Sequence, residues 1–253
     1  MYIPLHNESK KHLYFSVRFT KLCLFTVSLP FFAFIGCVLL TMYKDFESAN
    51  GTHCKVPNFL PSISASIGNY EPQRTIWQTA IYIHAMPRLL IMIMRWRYYL
   101  SAVIEDYSGI VNFAGLLNIV ENVSLLGLTF WTSARHYPYH EVCFKTFIGA
   151  SIFYMLFICI LLSKFRRRKA VTINEIKSIK YKWRLLLINI GSFACAAFFF
   201  LRHNSHCEPY VYSMFGFSEY IVVTSNIAFH LSSIYDIPNQ HIAINRFGLS
   251  VDR

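Results

Sequence analysis

The chain has 253 residues, of which 55% are hydrophobic and 17% aromatic, while only 15% are charged. This profile is typical of a polytopic membrane protein and excludes an ordinary soluble domain. The formal net charge of +11 does not indicate nucleic-acid binding, because the lysines and arginines gather between apolar segments and do not cover a soluble face.

Six apolar runs are each long enough to cross a bilayer as a helix. They cover roughly residues 22–43, 76–94, 110–131, 142–162, 185–201 and 214–234. The first run follows several basic residues, as in a signal peptide, but its length and the lack of a convincing cleavage site indicate a retained anchor. We therefore predict an all-α fold, in which residues 1–253 form one domain with a bundle of six transmembrane helices.

The lysines and arginines in the connections predict the orientation of this bundle. Seventeen of them lie before the first run, after the second, between the fourth and fifth, or after the sixth, and five lie in the other connections. Cytosolic connections carry the excess of basic residues. Both termini and a basic loop at about 164–184 are therefore predicted to be cytosolic, and the loops at about 44–75, 132–141 and 202–213 lumenal.

The second apolar run carries His84, Pro87 and Arg88. An ionisable side chain at this depth is costly unless it faces a partner or a water-filled cavity. His84 and Arg88 are four residues apart, so they share one face of a helix, and Pro87 loosens the backbone beside them. The other helices are expected to supply partners for this face.

Two further runs carry polar residues at similar depth, namely Asn118, Glu121 and Asn122 in the third and Glu219, Asn226 and His230 along one stripe of the sixth. Arg88 and Glu121 each lie roughly 15 Å from the lumenal end of their helix, so they can form an ion pair. Such residues either line a functional cavity open to the lumen or fasten the helices together.

Two cysteines, Cys54 and Cys207, lie well inside the predicted lumenal loops. Because the lumen is oxidising, they are expected to form a disulfide that closes the first loop over the cavity. The first loop also contains the glycosylation sequon Asn50-Gly51-Thr52, which a lumenal location would make usable.

A metal site is the alternative use of the lumenal loops, which hold ligand-type residues at His140, His203, His206, Cys207 and Glu208. No CxxC or HxxxH spacing pairs two of these residues, so we predict neither a metal nor a cofactor. A proton-shuttling base is a further candidate, at His84, His230 or a loop histidine, because imidazole titrates near neutral pH and a carboxylate such as Glu121 or Glu219 can orient it. No GxSxG motif is present, so a serine nucleophile is not expected.

Several stretches of the chain match one family pattern: THCKVPNFLPSISASIGNYEPQRTIW (52–77), His84-x-x-Pro87-Arg88, Glu121 within NIVENVSLLGLTF, His140-Glu141, RHNSHCEPYVYSMFGFSEY (202–220) and Asn226-x-x-x-His230. With these stretches the sequence resembles the post-GPI-attachment-to-proteins factor 2 family, within the wider group of DRAM-like membrane proteins. Gln78 departs from the pattern, in which an arginine commonly follows the tryptophan. The resemblance covers nearly all six helices and both larger lumenal loops.

This resemblance implies a role in remodelling the lipid of glycosylphosphatidylinositol (GPI) anchors in the Golgi membrane, with the endoplasmic reticulum membrane as a second location. There a lyso-GPI intermediate regains a saturated acyl chain at the sn-2 position. The chain would be an acyltransferase or, alternatively, a non-catalytic GPI-lipid-binding or accessory protein for a separate acyltransferase. Its partners would be the GPI lipid and an acyl-donor lipid. A proton- or ion-coupled transporter is less favoured, because the six runs show no obvious inverted repeat.

The resemblance also suggests roles for the polar residues. The catalytic candidates are His84, His230, Glu121 and Glu219, where a histidine takes the proton of the lyso-lipid hydroxyl and a carboxylate orients that histidine. The substrate-binding candidates are Arg74, Arg88, Asn118, Asn226 and His203, with the arginines holding the inositol phosphate through their fork-shaped guanidinium groups. The sequence specifies neither the acyl donor nor any protein partner.

Overall fold

Long α-helices dominate a computed structural model of the chain, which describes residues 13–170, 172–237, 240–245 and 248–252. The helices in this part of the chain are Phe19–Lys44 (α1), Phe46–Asn50 (α2), Ile63–Gly68 (α3), Gln73–Ala102 (α4), Ser108–Phe130 (α5), Tyr137–Lys164 (α6), Ile173–His206 (α7) and Val211–Leu231 (α8). The strands Leu13–Arg18 (β1), His241–Asn245 (β2) and Gly248–Asp252 (β3) form a small antiparallel sheet in the order β1-β2-β3, which the sequence did not predict.

Five helices of the described chain are long and apolar enough to cross a membrane, namely α1, α4, α5 with the short turn before it, α6 and α7. This confirms the predicted all-α polytopic membrane fold. Helix α8 has 21 residues, which is long enough to span, but it is not among these five, and it contains the polar residues Glu219, Asn226 and His230. Its polar stripe faces protein, because Glu219 accepts from the Ile63 amide and both Asn226 and His230 donate to Glu121 of α5.

The helices pair mainly as α7 with α8, α5 with α6, and α1 with α4. Strand β1, which leads into α1, pairs with β2, which follows α8, and the Phe19 amide donates a hydrogen bond to the Gln240 carbonyl at 2.9 Å. The start of α1 and the end of α8 therefore lie at the same end of the bundle. An even number of crossings would produce this arrangement, as the predicted six do.

The helices extend beyond the apolar runs, so several predicted loops are too long. The second half of the predicted basic loop at 164–184 is helical, because α7 begins at Ile173 behind a capping box formed by Thr172 and Glu175. The loop at 202–213 shrinks to the four residues between α7 and α8, and the loop at 132–141 loses its end to α6. The loop at 44–75 contains α2, α3 and the first turn of α4.

Two basic residues assigned to cytosolic connections lie inside the protein. Arg95 belongs to α4 and is 2% exposed, and Lys182 belongs to α7 and is 0% exposed. Lys182 Nζ pairs with Asp236 Oδ2 at 2.8 Å and donates to Ser178 Oγ at 2.5 Å. The pair holds the segment after α8 against α7, because Asp236 ends the 3-10 turn Ser232–Tyr235 that follows α8.

The loop between α1 and α4 folds back onto the start of α8. The Ser213 hydroxyl accepts hydrogen bonds from the Phe59 and Leu60 amides at 2.8 and 3.1 Å. Asn50, the acceptor of the sequon, is only 5% exposed, and its Nδ2 donates to the Phe46 carbonyl at 2.9 Å. The folded loop therefore leaves no room for a glycan at Asn50.

Candidate functional site

A cavity inside the bundle collects most of the polar residues that the sequence singled out. All six long helices contribute to its wall, which is mostly apolar, as at Trp77, Phe147 and Val222. The charged and histidine side chains that line it are His84, Arg88, Arg95, His140, Glu219 and His230. An apolar pocket with a few converging polar groups is the usual form of a ligand site.

Glu121 organises the polar residues at the inner end of this cavity. Its Oε1 accepts from Arg88 Nη2 at 3.0 Å, from His230 Nε2 at 2.8 Å and from Asn226 Nδ2 at 3.0 Å. The predicted ion pair between Arg88 and Glu121 is thus present. Glu121 is 0% exposed, so these donors replace the water that its charge would otherwise require.

The hydrogen bonds of His230 fix its protonation state. Arg95 Nη1 lies 2.8 Å from Nδ1 and can only donate, so Nδ1 accepts and the proton sits on Nε2, which donates to Glu121. The ring also stacks on Tyr154, whose hydroxyl accepts a hydrogen bond from Arg95. Both nitrogens of His230 are therefore occupied, and the ring holds Glu121 in place more readily than it can take a proton.

His84 differs from His230 in this respect. Its Nδ1 donates to the Thr26 carbonyl at 2.7 Å, which leaves the lone pair on Nε2. The nearest donor to that lone pair is Arg88 Nη1 at a long 3.3 Å. Of the two histidines predicted as bases, only His84 keeps a weakly held lone pair.

The inner end of the cavity carries an excess positive charge. We call His84, Arg88, Arg95, Glu121, Asn226 and His230 the inner cluster. With neutral histidines it contains two guanidinium groups and one carboxylate. No carboxylate of the described residues forms an ion pair with Arg95, and the nearby Lys182 is already neutralised by Asp236.

A second polar group, the outer cluster, lies where α3 and the start of α6 meet and consists of Ser64, His140 and Glu219. Glu219 Oε2 accepts from the Ile63 amide at 3.1 Å, and Ser64 Oγ lies 3.0 Å from His140 Nε2. All three line the cavity. His140 precedes Ser151, which binds Asn226 of the inner cluster, by roughly 16 Å along α6.

Two predicted substrate-binding residues lie outside this cavity lining. Arg74, in the first turn of α4, pairs with Glu71, and His203 Nε2 lies 3.1 Å from Thr52 Oγ1. Asn118 and Asn226 both line the cavity. Gln78, the departure from the family pattern, donates to the Thr129 carbonyl at 3.2 Å.

Cys54 and Cys207 are joined by a disulfide, which ties the loop between α1 and α4 to the turn between α7 and α8. Beside it, Glu208 accepts hydrogen bonds from Arg202 at 2.5 and 2.8 Å, and these hold the pKa of Glu208 below its usual value. Within the described ranges, ligand-type side chains gather only at His53, Cys54 and Cys207. The two sulfurs are bonded to each other, so they cannot coordinate a metal as thiolates.

The sequence reasoning missed several residues of the site. Arg95 escaped notice because it lies beyond the apolar run, although its position seven residues after Arg88 places both on one face of a helix. Nothing in the sequence distinguished Tyr154 as a site residue, because tyrosine is common in apolar runs. Ser64 and His140 are 76 residues apart, so no local spacing joins them.

Comparison with known proteins places the chain in a family. Residues 18–240 match the family model described as the Frag1/DRAM/Sfk1/Cwh43P N-terminal domain. The chain is 41% identical over 226 residues to post-GPI attachment to proteins factor 2 of Drosophila melanogaster, covering 89% of this chain and 88% of the fly protein. It is 35% identical over 244 residues to a Xenopus tropicalis protein named acyltransferase PGAP2, covering 96% of each.

A more distant relative is protein cwh43 of Schizosaccharomyces pombe, which is 22% identical over 238 residues, covering 91% of this chain but 22% of the yeast protein. No solved structure matches the chain. The family match spans most of the chain, and the two animal relatives are aligned over nearly their whole length. The chain therefore belongs to the post-GPI attachment to proteins factor 2 family.

Proposed function

We propose that this chain remodels the lipid of GPI anchors by transferring a saturated acyl chain to the sn-2 hydroxyl of a lyso-GPI, in the Golgi membrane or the endoplasmic reticulum membrane. The names of its relatives support the GPI lipid as substrate, and the name of the frog relative supports acyl transfer. The observation that supports the proposal most directly is the apolar cavity with polar clusters at both ends.

The apolar wall suits the hydrocarbon part of the substrate. An acyl chain leaves the bilayer without losing its apolar surroundings when it enters a cavity lined by Trp77, Ile81, Phe147 and Val222. The polar reacting groups of the lipid then stay close to the predicted lumenal side, where the headgroup of a GPI lies.

The excess positive charge of the inner cluster favours an anionic lipid over a neutral one. A phosphate about 16 Å from this charge would gain roughly 1 kcal/mol at an effective dielectric constant of about 20. Arg88 and Arg95 supply this attraction without direct contact with the phosphate. That distance is the rise along α6 from His140 of the outer cluster to Ser151, which binds Asn226 of the inner cluster.

Acyl transfer also requires a base for the acceptor hydroxyl. Two histidines that line the cavity present an imidazole lone pair, His84 at the inner cluster and His140 at the outer cluster. His230 is assigned a positioning role, because it binds Arg95 and Glu121 through its two nitrogens.

The test is acyl transfer by the purified chain in nanodiscs, with lyso-GPI as acceptor and a phospholipid carrying a labelled saturated chain as donor. We expect labelled diacyl-GPI from the wild type and at least about 10-fold less from Ala196→Phe, because Ala196 is buried against the cavity and added volume there competes with the substrate. The matched control is Ala197→Phe. Ala197 is the next residue of α7, and its side chain is exposed on the outer face of that helix.

The alternative is the accessory function. It becomes the better proposal if the pure wild type binds lyso-GPI but transfers nothing from either phospholipid or acyl-CoA. Equal transfer by Ala196→Phe and Ala197→Phe would instead place the reaction outside this cavity.

A further inference from the structure

The outer cluster contains a hydrogen-bonded serine and histidine that the proposed function leaves without separate roles. His140 Nδ1 lies 2.8 Å from the Trp131 carbonyl oxygen, which can only accept, so Nδ1 carries the ring proton. The lone pair therefore lies on Nε2, 3.0 Å from Ser64 Oγ, and the serine hydroxyl donates to it. A nucleophile, its base and a third group that orients the base are the parts of an activated serine.

The surroundings of this pair are those of a reaction site. Ser64 is half-buried and His140 is 9% exposed, so the hydroxyl is reachable from the cavity while the imidazole is shielded from bulk water. The apolar residues Ile67, Phe144 and Phe147 line the same cavity beside them. A hydrogen bond that only joined α3 to α6 would not require a position on the cavity wall.

The depth of the pair fits the ester groups of a membrane lipid. His140 is the fourth residue of α6, about 5 Å from the start of that helix. The interfacial region of a bilayer, where the lipid esters lie, is about 5–8 Å thick on each side. The acyl chain of a lipid whose ester reaches Ser64 would extend along the apolar wall toward the inner cluster.

We propose that Ser64 is the nucleophile of the acyl transfer and His140 its general base, so that the reaction passes through an acyl-serine. This inference rests on the proposed function. In the first step, Ser64 Oγ attacks the ester carbonyl carbon of a donor phospholipid, the Oγ–carbon bond forms and the ester carbon–oxygen bond of the donor breaks. The serine proton passes through His140 Nε2 to the departing oxygen, which leaves as the hydroxyl of a lysophospholipid.

In the second step, the hydroxyl oxygen of the lyso-GPI attacks the carbonyl carbon of the acyl-serine. Its proton passes to His140 Nε2, the bond between the acyl carbon and Ser64 Oγ breaks, and Oγ takes the proton back. One ester replaces another, so the balance requires only the donor and the acceptor.

The experiment looks for the acyl-serine itself. The purified chain in nanodiscs is incubated with phospholipid carrying a labelled palmitoyl chain and no acceptor, quenched in acid, digested and analysed by mass spectrometry. We expect the label on Ser64 in the wild type and its release to lyso-GPI when that acceptor is added. Ser64→Ala should carry no label and transfer at least about 10³-fold more slowly.

Two variants separate catalysis from folding. Ser66→Ala, on the same helix, removes a hydroxyl that donates to the Ser62 carbonyl and lies apart from His140, and it should keep both label and transfer. Ser64→Cys should form a thioester that hydroxylamine cleaves, which a merely structural serine could not produce. Thermal unfolding of each variant checks that the fold is retained.

Two outcomes distinguish this inference from the proposed function. Wild-type transfer with no label on Ser64, together with full transfer by Ser64→Ala, would overturn the acyl-serine and leave the proposed function in place. A label on Ser64 that lyso-GPI never removes would support the nucleophile and overturn the proposed acceptor.

Discussion

Glu121 is the residue on which the charges of the inner cluster depend. Its Oε1 pairs with the guanidinium of Arg88, and Asn226 and His230 donate hydrogen bonds to the same oxygen. Removing one partner of a buried ion pair leaves the other charge without compensation, which costs more than the pair contributes. The inner cluster should therefore tolerate the loss of its carboxylate poorly.

We expect Glu121→Gln to lower the free energy of unfolding by about 3–5 kcal/mol, because Arg88 and Arg95 then remain as two uncompensated buried cations. Thermal unfolding in detergent measures the change. The control is Glu71→Gln, which removes the exposed partner of Arg74 and should leave the melting temperature nearly unchanged. A normal melting temperature for Glu121→Gln would mean that water or lipid already neutralises this cluster.

Much of the inner cluster was predictable from the sequence, because ionisable residues inside a membrane span need a partner or a cavity. This rule singled out His84, Arg88, Glu121 and His230, since each lies in an apolar run where a lone charge is costly. It could not place Arg95, which follows the apolar run. It also could not assign histidine roles, because these depend on neighbours from other helices.

At the scale of elements, hydropathy located the helices but not their ends. The apolar run at 185–201 marks only the part of α7 that is suited to lipid contact. The helix itself begins twelve residues before this run, at the capping box of Thr172 and Glu175. Hydropathy did not predict helix α3, because its six residues are too few to cross a membrane. The outer cluster depends on α3, so no pattern in the sequence predicts that Ser64 lies beside His140.

The position of α3 depends on a close contact with α8. A Cβ added to Gly216 would lie 2.8 Å from the Pro61 carbonyl oxygen, a backbone atom that immediately precedes the Ser62 cap of α3. We expect Gly216→Ala to displace this segment and separate Ser64 from His140. The turnover number should fall by about 10- to 100-fold, since small misplacements at a reacting group are costly.

The matched control for this change is Gly149→Ala on α6, where an added Cβ meets nothing within 4 Å. Steady-state acyl transfer in nanodiscs compares the two variants. Equal turnover would show that the loop before α3 yields without moving the outer cluster.

At the scale of the whole molecule, the pairing of β1 with β2 places the start of α1 and the end of α8 at the same end of the bundle. The basic residues between apolar runs predict that this end is cytosolic. We therefore expect epitope tags at both termini to be digested by protease added to sealed microsomes. A tag inserted at residue 134, in the predicted lumenal loop between α5 and α6, should survive until detergent opens the vesicles, and protection of either terminus would contradict this orientation.

The asparagine buried in the first loop couples sugar attachment to the timing of folding. A glycan can reach Asn50 only before its side chain bonds to the Phe46 carbonyl. In a lumenal loop, glycosylation of this sequon would therefore have to precede closure of the loop. The fraction of molecules that leave the ribosome with a glycan would record how long that loop stays open, and those molecules would carry a permanent obstacle to its closure.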